Sequence, residues 1–559
     1  MDRREFFTAK AKDRTLSSKA NNQFPRTFSG LARYSGPWTK NEVRHLLKRT
    51  MFGATRSDID YFLSRGLDAS VDELLTLPTS PPTPPVKNYT NNFIPATDPD
   101  YAINGGETWI NINASSAIAD QFRRDSFKSW WLGHMLNQQR SITEKMTLFW
   151  HNHFSTKAND IGRAIWAYKN NVLCRQYALG NFKQLVKEMT IDVAMLKFLN
   201  GYLNVKTSPD ENYSRELQEL FTLGKENNPN YTEDDVKNAA KVLTGWKIDN
   251  TTNTHFFNPA LHETSSKQFS SFYNNTVIAG RSGSTAGELE LNDLVDMIFT
   301  KEIEVSRFIV KKIYRYFVYY KIDAATEANV INPLAQILVV SNWEIKPVLE
   351  ALFKSEHFFD ALNRSCYIKS PIDLIVGLCR EYEVVFPDHA DYETSYYMWS
   401  YLYVFGNQLQ QHIGDPPDVA GWKAYYQSPQ FHEIWINTDT YPGRNYFTDV
   451  MIGSGYTKNG FKMIIDAVEF TKKVSSNPSD PNLLIEHASK FILTNELTTA
   501  RKAKIKRQIL LSNQDQDYYW TNAWNAYVAN PTPANYQVVF FRLRDMYKYL
   551  MNLAEYQLC

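Results

Sequence analysis

Four times along this chain a hydroxyl-bearing residue stands just ahead of an apolar run, with an acid three positions later. The pairs are Ser141 with Glu144, Thr232 with Asp235, Ser341 with Glu344, and Ser370 with Asp373. That spacing marks a helix start: the hydroxyl accepts from a free amide of the first turn while the acid reaches back to the cap. Pro371 follows Ser370 at the first helical position, where a missing N–H costs nothing. Stops fit too, since Gly224 closes the segment Arg215–Leu223. Asn292–Tyr320 reads as two helices and Val538–Leu558 as one amphipathic stretch. Strand signals are confined to Thr254–Asn258 and Phe269–Ile278, enough for a small hairpin or a structured loop. No repeat of fixed period appears, which disfavours a solenoid. The expected fold class is mainly α: a large irregular multi-helix domain with long loops and at most a minor β-hairpin.

Bulk properties narrow the function. With 61 basic and 60 acidic side chains the net charge is +1, so nothing predicts long-range attraction to nucleic acid or anionic lipid. No run reaches the ~18–20 apolar residues of a membrane helix. The four cysteines form no CxxC pair, which argues against a thiolate zinc site and a disulfide framework and leaves a single disulfide open. The start, MDRREFF, resembles a twin-arginine export signal but lacks the apolar region that should follow. Residues 1–37 are expected to be a polar, poorly ordered leader. Residues 38–474 form the main helical domain, and 475–559 a C-terminal helical segment packed on it, with SSNPSDPN (475–482) at the boundary. Leu77–Thr108, proline-rich in its first half, is a long loop.

Three stretches carry side chains suited to chemistry. EKMTLFWHNH (144–153) delivers His151 and His153 to an aromatic neighbourhood. Positions i and i+2 of a helix lie ~200° apart, so the two reach one metal ion only if the helix ends near Trp150. Met146, Phe149, Trp150 and His153 share a face, which turns His153 inward; the plain alternative is one buried histidine on a carbonyl and one exposed. In ENYSRELQELFTLG (211–224), Glu216 and Glu219 are i,i+3 neighbours able to approach a shared point. The competing reading is a surface ion-pair ladder, Glu211–Arg215–Glu219, which leaves Glu216 unexplained. His262-Glu263 lies in a loop with Lys267 nearby, a place for function or for a solvent-facing histidine. GDPPDVAGW (414–422) reads as a rigid wall with Trp422 plugging the core. The dinucleotide, Walker, HExxH and GxSxG motifs are absent.

HLLKRTMFG, EKMTLFWHNHF, ENYSRELQELFTLG, YTEDDVKNAAKVLTGW, LHETSSK, KSPIDLI, PPDVAGW and LRDMYKYLMNLAEYQL occur in that order. Together they resemble the bacterial domain of unknown function 1800 family from about His45 to the C-terminus. The resemblance brings no settled activity. It implies a frequently exported protein with a cell-envelope role. It also implies a partner from the domain of unknown function 1501 family, which looks like the alkaline-phosphatase and sulfatase superfamily. The missing apolar region points instead to the cytoplasm.

Two classes of function follow. In the first, a metal-assisted or acid–base enzyme acts on a carbohydrate or other cell-envelope substrate. Glu216, Arg215 and His262 would be catalytic, and His151, His153 and Glu219 would hold a divalent ion. In the second, a non-catalytic binding or scaffold protein docks the phosphatase-like partner, and the same residues are buried networks that position helices. The first requires at least three of these groups around an open cleft.

Overall fold

The computed structural model describes residues 26–92, 94–224, 230–388, 390–422 and 433–559. Helix takes 57% of the described residues, and the strands among them form three two-stranded antiparallel pairs, so the protein is mainly α. The helices that build the candidate site and its surroundings are α1 (Lys40–Thr50), α2 (Ala117–Leu136), α3 (Thr143–His153), α4 (Ala164–Gln176), α5 (Pro371–Glu381), α6 (Thr440–Ile452), α7 (Tyr518–Ala529) and α8 (Pro533–Met551).

Capping explains where some helices begin. Thr39 and Glu42 form a full capping box at α1, and Thr232 and Asp235 form another at Glu233–Val242. Ser370 accepts from the Asp373 amide at α5, with Pro371 in the first turn as expected. The other two expected boxes do not form. Ser141 donates to the Thr76 carbonyl while Glu144 pairs with Arg175. Ser341 bonds back to the Ile337 carbonyl, and Glu344 accepts from Asn181. Long-range partners take Ser141 and both acids, because a pair formed away from water is worth more than a solvated one, whereas the Ser341 hydroxyl turns back on its own preceding helix.

Thr254–Phe257 pairs with Trp246–Asp249, and Lys267–Gln268 with Val277–Ile278. A third hairpin, Tyr456–Lys458 with Phe461–Met463, gave no sequence signal. The glutamate segment is a short helix, Asn212–Glu216, continued by a π-turn, Leu217–Thr222; its end at Gly224 (φ +78°) is as expected.

Two hydrophobic clusters make the core. One draws on residues between Tyr34 and Phe359. The other joins Trp109, α2, α5, α6 and α8. Helix α3 serves both: Met146, Phe149 and Trp150 enter the first cluster and Leu148 the second. Of its residues only Asn152 escapes full burial. This seam position is what places α3 at the centre of the candidate site.

Residues 26–37, assigned from sequence to the leader, are tied down. The Arg26 amide donates to Asp323, and Thr27 and Ser29 reach Asp360. Residues 1–25, with the arginine pair, lie outside the described residues. Across position 475, Thr471 and Tyr547 share a hydroxyl contact of 2.7 Å. The long loop after Leu77 is built around buried Lys87, whose Nζ contacts Asp98 (2.7 Å) and the carbonyls of Asp100 and Ile103. Arg123 clamps Asp100 in turn at 2.6 Å.

Candidate functional site

Five of the stretches singled out in the sequence meet at one hollow beside α3. Lys145, Leu148 and Asn152, at i, i+3 and i+7, share a face of α3 distinct from its aromatic face and line this hollow. Lys48 and Arg49 come from α1, Ser370 and Asp373 from the start of α5, Trp422 from the proline loop, and Cys559 from the end of the C-terminal stretch. Tyr316, Tyr367 and Gln411 complete much of the wall. The free volume is about 20 Å³, room for roughly one water-sized sphere.

Polar contacts fix this lining. Lys145 pairs with Asp373, whose second oxygen accepts from Ser370 at 3.0 Å. The Lys145 ammonium also stands 4.4 Å from the Phe52 ring centre. Lys48 lies 2.9 Å from Glu381, both almost fully buried. Asn152 Oδ1 accepts from the Trp422 amide at 2.8 Å, which locks the proline loop to α3. Gly421 permits this closeness: its φ is +85°, and a Cβ there would come within 2.3 Å of Asn152 Oδ1.

The residues nominated from sequence lie elsewhere. Helix α3 runs unbroken through His153, so its two histidines stay on different sides. Both are buried, so the plain alternative of one buried and one exposed histidine does not hold either. His151 packs its ring against Trp131, 5.2 Å away, and Trp422, 6.5 Å away. Its Nδ1 has no hydrogen-bond partner among the described residues. Burial, partly opposed by Asp415, lowers its pKa to about 4. His153 Nε2 donates to the Phe221 carbonyl at 3.1 Å, and its Nδ1 accepts from Lys312 at 3.0 Å. Burial first, then Lys312, holds its pKa well below the usual imidazole value. It therefore touches the glutamate segment through the Phe221 carbonyl and ring, not through a carboxylate.

Arg215 sits half-exposed between Glu211 at 3.1 Å and Glu233 at 2.7 Å, with Glu219 at 3.8 Å. The ladder weighed from sequence is formed, with Glu233 added. Glu219 is buried and Glu216 half-buried. His262, in a loop, is nonetheless buried. Its Nδ1 is 2.9 Å from the Thr244 carbonyl, and its Nε2 is 3.1 Å from Glu290 Oε1 without hydrogen-bond alignment. Lys267 holds the other Glu290 oxygen at 2.5 Å. Among the described residues no group of three or more His, Cys, Asp or Glu side chains is placed to hold a metal ion. The structure does not gather His151, His153 and Glu219 into the shared ligand set expected of them, because a continuous helix separates the two imidazoles. Nor does it bring Glu216, Arg215 and His262 to the hollow.

Sequence reasoning missed Lys48, Lys145 and Asp373. The signal was present in α3, where Lys145 and Asn152 interrupt an otherwise apolar face at helical spacing. Asp373 was read only as part of a cap.

On the other side of α3 is a larger cleft of about 650 Å³. One wall is the proline segment that follows Leu77, held by a 2.6 Å bond from Trp130 Nε1 to the Thr83 carbonyl. The opposite wall carries the side-chain amides of Asn137, Gln138 and Gln176 together with Tyr168. The paired Glu144 and Arg175 also line it. Glu144 Oε2 is buried without a hydrogen-bond partner among the described residues.

Fold and site thus define a mainly α protein whose ordered sequence motifs converge on one polar hollow, with an open cleft across the central helix. The chain matches the family model described as "Protein of unknown function (DUF1800)" over residues 45–558, nearly its whole length, and it belongs to that family. No curated protein and no solved structure matches it. No helix among the described residues is long and apolar enough to cross a membrane.

Proposed function

We propose that this protein binds a neutral, hydroxyl-rich ligand of the saccharide class in the cleft between the proline segment and helices α2–α4. The cleft carries the reading. Its volume of about 650 Å³ falls within the roughly 300–1,000 Å³ usual for small-molecule sites. Its lining joins apolar groups, Leu77, Val172 and three prolines, to hydroxyls, side-chain amides, His134 and Tyr168, and the charges of Glu144 and Arg175 are paired with each other. Tyrosine offers an apolar body with a polar tip, which suits a sugar's alternating C–H faces and hydroxyls. A cell-envelope saccharide is the ligand that the family resemblance adds. The metal-assisted or acid–base reading has less support, since His151, His153 and His262 lie in closed, packed surroundings, as the non-catalytic reading requires.

The test is calorimetric titration with cello-, xylo- and chito-oligosaccharides. One series should bind, and Tyr168→Ala and Gln176→Ala should each weaken it about tenfold or more while leaving the melting temperature near that of the parent. Failure of every series, or binding indifferent to both variants, rejects the reading.

A docking role for the same protein is favoured by one further feature. Helices α7 and α8 present Tyr518, Tyr519, Val538 and Phe541 to solvent, an apolar patch of the kind that marks contact surfaces. The resemblance suggests a phosphatase- or sulfatase-like partner of the domain of unknown function 1501 family.

A further inference from the structure

We propose that the hollow beside α3 is a binding site for one small inorganic anion of chloride size. Charge balance is the first ground. Five cations gather there: Lys48, Arg49 and Lys145 in the lining, Lys369 and Arg444 close behind it. Each is at least nine-tenths buried. Arg49, Lys145 and Lys369 are all near enough to Cys559 for their charges to act on its thiol, and Arg444 senses Asp373 and Cys559. The carboxylates of this neighbourhood are Asp373, already paired with Lys145, Glu381, already beside Lys48, and the α-carboxylate that Cys559 carries, so five cations face three carboxylates. Arg49, Lys369 and Arg444 make no close ion pair with a carboxylate among the described residues, although Glu381 acts on Lys369 and Asp373 on Arg444 from farther off. A buried charge without a close counter-charge is unfavourable, and the excess of cations here favours an anion.

Unused donors are the second ground. Arg49 is 3% exposed, and its Nε and Nη1 have no hydrogen-bond partner. Its Nη2 uses only the Asn363 carbonyl at 3.2 Å and the Cys366 sulfur at 3.5 Å. Arg444 is fully buried, and its Nη1 is likewise unused. Neutral contacts offset part of the cost: Arg49 lies over the Tyr367 ring at 4.9 Å and Lys369 over Tyr556 at 4.0 Å. They supply no negative charge. The pKa of Lys369 is pushed down to about 8; burial is the main cause, Lys48 and Arg444 add to it, and Glu381 opposes it.

Size decides which anion. A free volume of about 20 Å³ holds about one water-sized sphere. Phosphate, sulfate and organic carboxylates are too large, whereas a monatomic halide fits. The hollow also lies at the first turn of α5, where the helix field favours negative charge.

Thermal melts in sodium chloride, bromide and gluconate at one ionic strength, about 0.15 M, test this. Chloride and bromide should raise the melting temperature relative to gluconate in a saturable way, by roughly 2 °C at a hundredfold excess over Kd. Arg49→Gln should abolish that difference. Bromide-soaked crystals of the unaltered protein should show an anomalous peak within hydrogen-bonding reach of Arg49, a readout that survives if the variant fails to fold. Equal melting in all three salts overturns the proposal, as does a halide effect retained in Arg49→Gln. Bromide found only elsewhere overturns it too.

Discussion

Acid should weaken this protein through His151, and the size of the effect follows from the structure. The imidazole is fully enclosed between Trp131 and Trp422, and its pKa falls from 6.5 to about 4. In the unfolded chain the same ring titrates near 6.5. Between these values the unfolded chain takes up a proton that the folded protein refuses. The stability lent by neutral His151 is therefore complete above pH ~6.5 and declines as pH falls toward 4. Integrated from pH 7.5 to 4.5, the loss is about 2.5 kcal/mol. His153 and His45 are depressed as well, so the total acid sensitivity is larger and a differential measurement is needed. His151→Phe keeps a ring between the two tryptophans but cannot titrate. Calorimetric melts of both proteins at pH 7.5 and 4.5 should show the gap moving by about 2.5 kcal/mol in the variant's favour. If a chain of this length melts as one unit, its unfolding entropy makes that about 2 °C. Parallel acid curves for the two proteins would refute the reasoning.

Two further outcomes are expected. Gly421→Ala should destabilise by about 2 kcal/mol or more, since the backbone sits at φ +85° and the new Cβ meets both Asn152 Oδ1 and its carbonyl oxygen within 2.5 Å; an unchanged melting temperature would contradict the close approach of the proline loop to α3. Lys145→Met, which leaves the mostly buried Asp373 beside Ser370 without its ammonium partner, should cost about 3 kcal/mol, with part recovered on adding Asp373→Asn; a loss under about 1 kcal/mol would show that the pair is solvated.

The helices were legible where their causes were local. Thr232 with Asp235, and Ser370 with Pro371, start helices as their spacing dictates. Gly224 ends one because the chain there needs a left-handed residue. Ser141 and Glu344 show the limit: the same pattern is present, but the distant Thr76 carbonyl claims the hydroxyl and Asn181 the carboxylate. The site was legible in its ingredients only. The stretch around α3 was rightly marked as unusual, yet attention fell on His151 and His153, whose side chains turn out to be packed or bonded to backbone. The residues that line the hollow, Lys145 and Asn152, occupy a different face.

Local sequence, then, determined the α class, several helix ends and the membership of the chain in one family, because caps, glycines and apolar spacing act over a few residues. Which polar groups meet was decided only by tertiary packing. Lys48, Lys145 and Asp373 come from three helices far apart in the chain, and burial between two hydrophobic clusters forces them together. No spacing rule reports that meeting, since it depends on which faces of α3 the two cores consume and which face they leave over.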